Sequence, residues 1–259
     1  MKKLQEKIEA FLDTCKGRWS LILLNHPAQQ RIEFNPAMQF PAASMIKLPV
    51  MYELVRQAAA GSINLNELIT VKKESWVGGA GILKELRPDI VITIGELITL
   101  MIILSDNTAT NIVIDMIGMD SVNRSMKHLG LTATCLCRYM MDFAAASAGK
   151  ENSISAADFV LLLSHIYDGT VLPAHYNRLM IDILCRQQIR DKLPFFWPES
   201  AVIAHKTGTL PGVEHDGGIL FLPNGPYLAC ILTADLPSNA EGIQAIAYLG
   251  KIIYENLAS

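Results

Sequence analysis

No run of 18 apolar residues goes uninterrupted in this chain of 259 residues, so no transmembrane helix is expected. No secretory leader is expected either. Residues 1–15 (MKKLQEKIEAFLDTC) open with two lysines, but Gln5, Glu6, Lys7 and Glu9 stand where an apolar core would be, and no small-residue cleavage site follows. A cytoplasmic location is the expectation, with a periplasmic or secreted one the alternative for a chain already trimmed. Charge of one sign is scarce as well: a formal net charge of −3 makes no electrostatic case for nucleic acid or an anionic membrane. The five cysteines (Cys15, Cys135, Cys137, Cys185, Cys230) are an odd number and lack zinc-ligand spacing: C-x-C at 135–137 is not C-x-x-C, and the histidines form no partner pair. Reduced, mostly buried thiols and no bound metal are expected. Gly78, Gly79 and Gly81 are followed by no phosphate-loop lysine, and no cofactor is implied. There is neither an internal repeat nor a long low-complexity linker.

What is present suits a compact globular protein: 51% hydrophobic and 18% charged residues, over a length that can bury a large core. Leu4, Ile8, Phe11, Leu12 and Cys15 share one helical face. Residues 18–24 and 31–36 read as strands around the turn residues of 25–30. Thr93 with Glu96 forms a capping box opening a helix over 94–104, and further helices fit 108–118, 156–167 (capped by Ser155 and Asp158, ending at Gly169) and 173–187. Residues 138–152 read as an Ω-type loop. Strand-like runs then occupy 201–209, 217–223 and 227–235, before a last helix over 240–257. Strands at both ends and helices between them predict an α/β (α+β) fold: an antiparallel five-stranded sheet assembled from both termini and flanked by helices, with an inserted all-helical unit. The sheet unit would comprise 1–39 plus 196–259 and the helical unit 40–195, with a cleft between them as the natural place for a site.

Residues 41–56 (PAASMIKLPVMYELVR) carry Ser44 and, three residues on, Lys47, in an otherwise apolar run. On a helix the two share a face. Burial disfavours the charged amine, and a neutral amine can take a proton from a hydroxyl and make it nucleophilic. Pro49 requires the helix to begin near Ser44, which aims backbone N–H groups and the positive end of the helix dipole at the serine. A bare S-x-x-K occurs by chance roughly once in a chain of this size, so its partners decide. Ser105-Asp106-Asn107 interrupts two apolar helices, where an Asp or Asn cap would by itself suffice. Lys206-Thr207-Gly208 ends a late strand, and a glycine there marks close approach to the backbone.

The ordered trio S-x-x-K, SDN and KTG resembles the superfamily of active-site serine hydrolases that contains the class A β-lactamases and penicillin-binding proteins. Spacings of about 60 and about 100 residues fit, and SDNTATN at 105–111 with the late KTGT is similar to the class A branch. The resemblance implies a monomeric enzyme acting on a small-molecule acyl substrate, a β-lactam, peptide or ester. Ser44 would be the acylated nucleophile and Lys47 its proton acceptor. Ser105 would pass a proton to the leaving nitrogen, and Asn107 would hold a substrate amide. Lys206 and Thr207 would bind the substrate carboxylate, with Gly208 beside them, and the N–H groups of Ser44 and Thr209 would form the oxyanion hole, typically worth about 3 kcal/mol per donor.

Two departures accompany it. The class A loop carries a glutamate just after an Arg-Trp pair and an asparagine four residues later, which hold the deacylating water; here Met140 and Ala144 occupy those places. Asp142, two residues on, is the nearest carboxylate and the candidate base, with Glu151 further along. Beyond KTG, where the family often has an arginine, stand Glu214, His215 and Asp216, and His215 or Lys206 would have to compensate the negative charge. The alternatives are therefore a penicillin-binding or DD-peptidase-like acyl-enzyme former with slow deacylation, a cytosolic esterase or peptidase of the same fold, and a non-catalytic penicillin-recognition module. A Ser–His–Asp triad through His215 and Asp216 is disfavoured, because neighbours on a strand point apart.

Overall fold

In the computed structural model, which describes residues 1–258, helix α1 (Lys2–Leu12) leads into strands β1 (Arg18–Asn25), β2 (Gln30–Phe34) and β3 (Gln39–Pro41). Helix α2 (Lys47–Ala59) follows, then β4 (Leu68–Val71), β5 (Ile90–Thr93) and the helices α3 (Ile94–Ile103), α4 (Asn107–Ile117), α5 (Met119–His128) and α6 (Phe143–Ser147). The chain continues through β6 (Ser153–Ser155), α7 (Ala156–Asp168) and α8 (Ala174–Cys185). It then returns to the sheet as β7 (Val202–Leu210), β8 (Val213–Leu222) and β9 (Gly225–Ala234), and closes on α9 (Asn239–Leu257).

β1 is buried along nearly its whole length, which a strand can be only where both faces of its sheet are covered. Its residues alternate between two cores. Leu21 and Leu23 join Leu4, Ile8, Leu249 and Ile253 under α1 and α9, whereas Ile22 and Leu24 join Phe159, Leu163 and the other side chains of the helices on the opposite face. The five strands run in the order β2-β1-β9-β8-β7, every neighbouring pair antiparallel. The fold class is the expected one.

Thr93 and Glu96 make the predicted reciprocal capping box at α3, Ser155 caps α7, and Gly169 ends it in the left-handed conformation. Two small ribbons, β3 with β6 and β4 with β5, are additions inside the segment expected to be all helical. Strands of three or four residues carry too few alternations for a period to show. α5 was also unforeseen, because it buries only Val122 and Met126. β8 begins at Val213 rather than near 217, so Glu214, His215 and Asp216 lie inside the sheet. β7 is the edge strand that faces the helices, and its outer row of backbone groups borders the cleft.

Candidate active site

Ser44 sits on a 3₁₀ turn, Ala43–Ile46, that runs directly into α2 at Lys47. Side chains three residues apart eclipse in 3₁₀ geometry, so Ser44 and Lys47 present to one side. The change to α-helix at Lys47 makes Pro49 the third helical residue, where a missing N–H removes no helical hydrogen bond. The α-helix expected near Ser44 thus begins three residues later. Ala43 is held in the left-handed region at φ 46, uncommon for a residue with a Cβ. The neighbouring Ala42 N–H donates to Asn152 O at 2.7 Å. On the other side β7 passes so close that a Cβ on Gly208 would lie 3.1 Å from Ala43 Cβ and 3.2 Å from Met45 Cγ.

Ser105 brings the second and third motifs to this turn. Lys47 Nζ donates to Ser105 O at 2.5 Å, to Ser105 Oγ at 3.0 Å and to Asn107 Oδ1 at 2.8 Å. Lys206 Nζ donates to the same Ser105 Oγ at 3.1 Å and to Thr207 O at 2.8 Å. Both amines are fully buried. Burial pushes the Lys47 ammonium down to about 7, against a smaller opposing pull from the Asp106 carboxylate. Lys206 is held well below the ordinary lysine value by burial first, then by the charges of Lys47 and Lys192. A neutral Lys47 keeps two N–H donors and gains a lone pair. Of its three partners only the Ser105 hydroxyl can turn and donate into that lone pair. Two amines joined through one hydroxyl can pass a proton between them. Ser44 Oγ is not among the resting partners of Lys47, and such contacts often tighten only when substrate binds.

The corner that holds Ser105 is built by Asp106. Its carboxylate accepts from Ala109 N–H at 2.9 Å, capping α4, and from Ile82 and Leu83 N–H at 2.7 and 2.9 Å. Residues 77–83 therefore lie as a strap over the SDN turn, which is why glycines stand there: a Cβ on Gly81, at φ 113, would come within 2.3 Å of Asp106 Cγ. Asn107 joins the same strap, its Nδ2 donating to Gly78 O and its N–H to Ala80 O, both at 3.0 Å. With the cap and the strap supplied by Asp106, the hydroxyl of Ser105, at φ 54, is left for the lysines.

Ser44 opens onto a cleft of about 160 Å³, lined also by Asn107, Arg138, Met140, Asn152 and Thr209, with no carboxylate among its lining residues. Met140 is buried, and Asn111 holds its backbone from both sides, accepting from Met140 N–H at 2.8 Å and donating to Met140 O at 3.2 Å. Asp142 is not brought to Ser44. Its carboxylate caps α6, accepting from Ala145 N–H at 2.9 Å, and it lines a separate groove with Glu74, Asp115 and Tyr139. Glu151 is engaged as well, 2.8 Å from Arg138 Nη2. Asn111, Arg138 and Asn152 escaped notice as site residues. Asn111 stands within SDNTATN, but nothing local in the sequence marks the other two.

Alternation along β7 puts Lys206 and Gly208 on the helical face and Thr207 and Thr209 on the face toward α1 and α9. There Thr209 Oγ1 donates to Glu214 Oε2 at 2.8 Å, and Asn239 Nδ2 to Glu214 Oε1 at 2.7 Å. The cation that neutralises Glu214 is neither His215 nor Lys206 but Lys192, whose Nζ lies 3.0 Å from Glu214 Oε2 with both side chains buried. Lys192 arrives from the loop after α8, a pairing without any sequence signal. His215 points the other way. It accepts Thr233 N–H at Nδ1 (3.1 Å) and reaches Pro41 O through Nε2 (2.8 Å), and burial takes it down to about 4, so it is neutral. Asp216 instead meets His205 at 2.8 Å on the far face. The two neighbours diverge as their strand requires, and no triad forms. Among the described residues no group of three or more His, Cys, Asp or Glu side chains is placed to hold a metal ion.

Comparison with known proteins bears on the family and the fold. The model of the Beta-lactamase enzyme family matches residues 3–257. "Beta-lactamase 1" of Bacillus cereus is 26% identical over 97% of this chain and 80% of its own length. A β-lactamase structure from Sphaerobacter thermophilus superposes with a TM-score of 0.88 at 27% identity, covering 98% of this chain and 96% of that one. The structure of PBP-A superposes at 0.89, also with 27% identity, over 99% and 96% of the two chains.

Proposed function

Because the chain belongs to the β-lactamase enzyme family, we propose that it is a serine hydrolase in which a β-lactam, or a related amide or ester, acylates Ser44. The observation that carries the reading is the pair of buried amines converging on Ser105 Oγ beside the Ser44 turn. Lys47, brought down to about 7, is neutral in part of the population at neutral pH and takes the Ser44 proton. The freed oxygen attacks the carbonyl carbon, and charge develops on the carbonyl oxygen, where the N–H groups of Ser44 and Thr209 would receive it. When the C–N bond breaks, Ser105 gives its proton to the leaving nitrogen and is reprotonated from Lys47 or Lys206. Asn107 has one Nδ2 hydrogen committed to Gly78 O and a second available to a substrate carbonyl. Lys206 meets the substrate carboxylate; Thr207, expected to join it, is turned with Thr209 to the face toward α1 and α9.

The second half-reaction needs a water and a base. The cleft wall offers Met140 instead, and the carboxylates nearest in sequence cap α6 or pair with Arg138. This favours an acyl-enzyme that persists, the behaviour of a penicillin-binding protein, over rapid turnover. Incubation with a fluorescent penicillin, followed by peptide mapping and by the decay of the label, tests both parts. Label on Ser44, lost in Ser44→Ala and surviving for hours in the parent protein, is the expected result. Label elsewhere overturns the assignment of Ser44, and loss within seconds overturns the slow second step. An esterase or peptidase would hydrolyse activated esters or peptides faster than it labels, and a recognition module would do neither.

A further inference from the structure

Cys135 and Cys137 stand at the foot of the loop that carries Arg138 and Met140, and the hydrolytic scheme makes no use of them. Their Sγ atoms are 2.9 Å apart, inside the contact distance of two unbonded sulfurs and beyond the roughly 2.05 Å of a disulfide. The nearness follows from the backbone. Cys135 is bridged antiparallel to Ser153, its N–H donating to Ser153 O and its carbonyl accepting from Ser153 N–H, both at 3.0 Å. In extended chain residues i and i+2 face the same side. Both thiols are partly accessible, and neither is bonded to another cysteine.

The same foot is tied to the turn that carries Ser44. Asn152 Oδ1 accepts from the N–H groups of Cys137 and Arg138 at 2.7 and 3.0 Å, Asn152 Nδ2 donates to Arg138 O at 3.1 Å, and Asn152 O accepts from Ala42 N–H at 2.7 Å. One residue therefore links the C-x-C backbone to the residue two before Ser44, and Arg138 and Asn152 themselves line the cleft.

We propose that Cys135 and Cys137 form a dithiol modification site that a small-molecule disulfide closes into an intrachain disulfide, shifting the loop foot and slowing acylation in the adjoining cleft. The exchange runs in two displacements. The Cys137 thiolate attacks one sulfur of the small disulfide, forming a mixed disulfide and releasing one small thiolate. Cys135 then attacks the Cys137 sulfur, forming the ring and releasing the second. The protein loses two electrons and two thiol protons, and the small disulfide takes both up as two thiols. Burial and the neighbouring thiol push Cys135 up to about 11, which makes it a poor first attacker; once Cys137 is a mixed disulfide the neighbouring thiol no longer opposes the Cys135 thiolate, and the attack is intramolecular. Bringing the sulfurs from contact to bonding distance draws the chain around Leu136 inward and strains the bonds to Asn152. A misplacement of about 1 Å can cost up to roughly a hundredfold in rate, and a several-fold slowing is expected.

The full chain, incubated with excess glutathione disulfide, is read three ways: by intact mass, by amide exchange, and by the rate of labelling with a fluorescent penicillin. The expected result is a product lighter by two hydrogens, a peptide map joining Cys135 to Cys137, altered exchange across 137–153, and several-fold slower labelling restored by a small dithiol. The double variant Cys135→Ser, Cys137→Ser keeps the reduced rate and loses the response. Cys135→Ser alone stops at a stable glutathione adduct on Cys137. Mass and exchange need no acyl donor, so they report on the site even if Ser44 is not the nucleophile. No loss of hydrogens, a bond to another cysteine, a ring that changes neither exchange nor rate, or a response surviving in the double variant would each overturn the proposal.

Discussion

Behind one wall of the Ser44 cleft two buried amines and a hydroxyl are held by five hydrogen bonds. The facing wall presents Met140, Met141 and Phe143. The first wall is furnished for moving a proton off a serine and onto a leaving nitrogen. The second has nothing that can take a proton from water. The same contrast appears in how each is supported. The amine wall rests on Asp106, the 77–83 strap and the sheet, all interior structure, whereas the loop wall hangs on Asn111, on Asn152 and on a five-residue helix capped by Asp142. Two half-reactions that share one serine are thus set by separate pieces of the fold, and each can be altered without the other.

The largest effect is expected on the amine wall. Lys47→Met should lower the rate of Ser44 acylation by about 10²–10⁴-fold, the usual worth of a positioned general base, measured as the second-order rate of fluorescent-penicillin labelling. In the parent protein that rate should rise with pH and level off above about 7, because the neutral amine is the base and the folded group sits at about 7. A rate indifferent to pH between 5 and 9 would remove Lys47 from the role.

Behind that wall, Lys192→Met leaves Glu214 buried without its cation, and removing one partner of a buried pair costs about 3–5 kcal/mol. Chemical denaturation should show the loss. The double variant Lys192→Met, Glu214→Gln should recover a large part of it, and a failure to recover would mean that the pair matters for packing alone.

On the loop wall, Met140→Glu places a carboxylate at the cleft wall. Loss of the acyl group should then accelerate by about tenfold or more, with acylation changed far less, since general bases contribute at least that much when in reach of water. Equal changes in both steps would erase the division between the walls.

The smallest effect is expected for Asn111→Ala. It removes the two bonds that hold the Met140 backbone and should cost about 1–3 kcal/mol of stability, with a few-fold change in acylation read by the same label.

Much of this could be read from the chain alone. The capping box at Thr93, the Gly169 stop and the continuous apolar run of β1 are local consequences of residue type. So is the presence of two lysines and two serines in three short motifs, because motif chemistry lies within a few residues. Pro49 confined any helix start to the neighbourhood of Ser44. The sequence could not separate a 3₁₀ turn from the first α-helical turn, since the two differ by one hydrogen-bond register.

Only tertiary structure decided the rest. Ser105 lies between Lys47 and Lys206, partners 58 and 101 residues away. Lys192 rather than a near neighbour neutralises Glu214, Asp142 is spent as a cap, and Cys135 meets Cys137 over Asn152. Residue type determined which groups could act as acid, base or nucleophile, because that chemistry is intrinsic to the side chain. Burial, which brings Lys47 down to about 7, and long-range pairing, which chooses each group's partner, depend on what the fold places around it. For that reason the acylating half of the site and the missing loop glutamate were visible in the sequence, while the engagement of Asp142 as a cap and of Glu151 with Arg138 emerged only when the loop was seen in place.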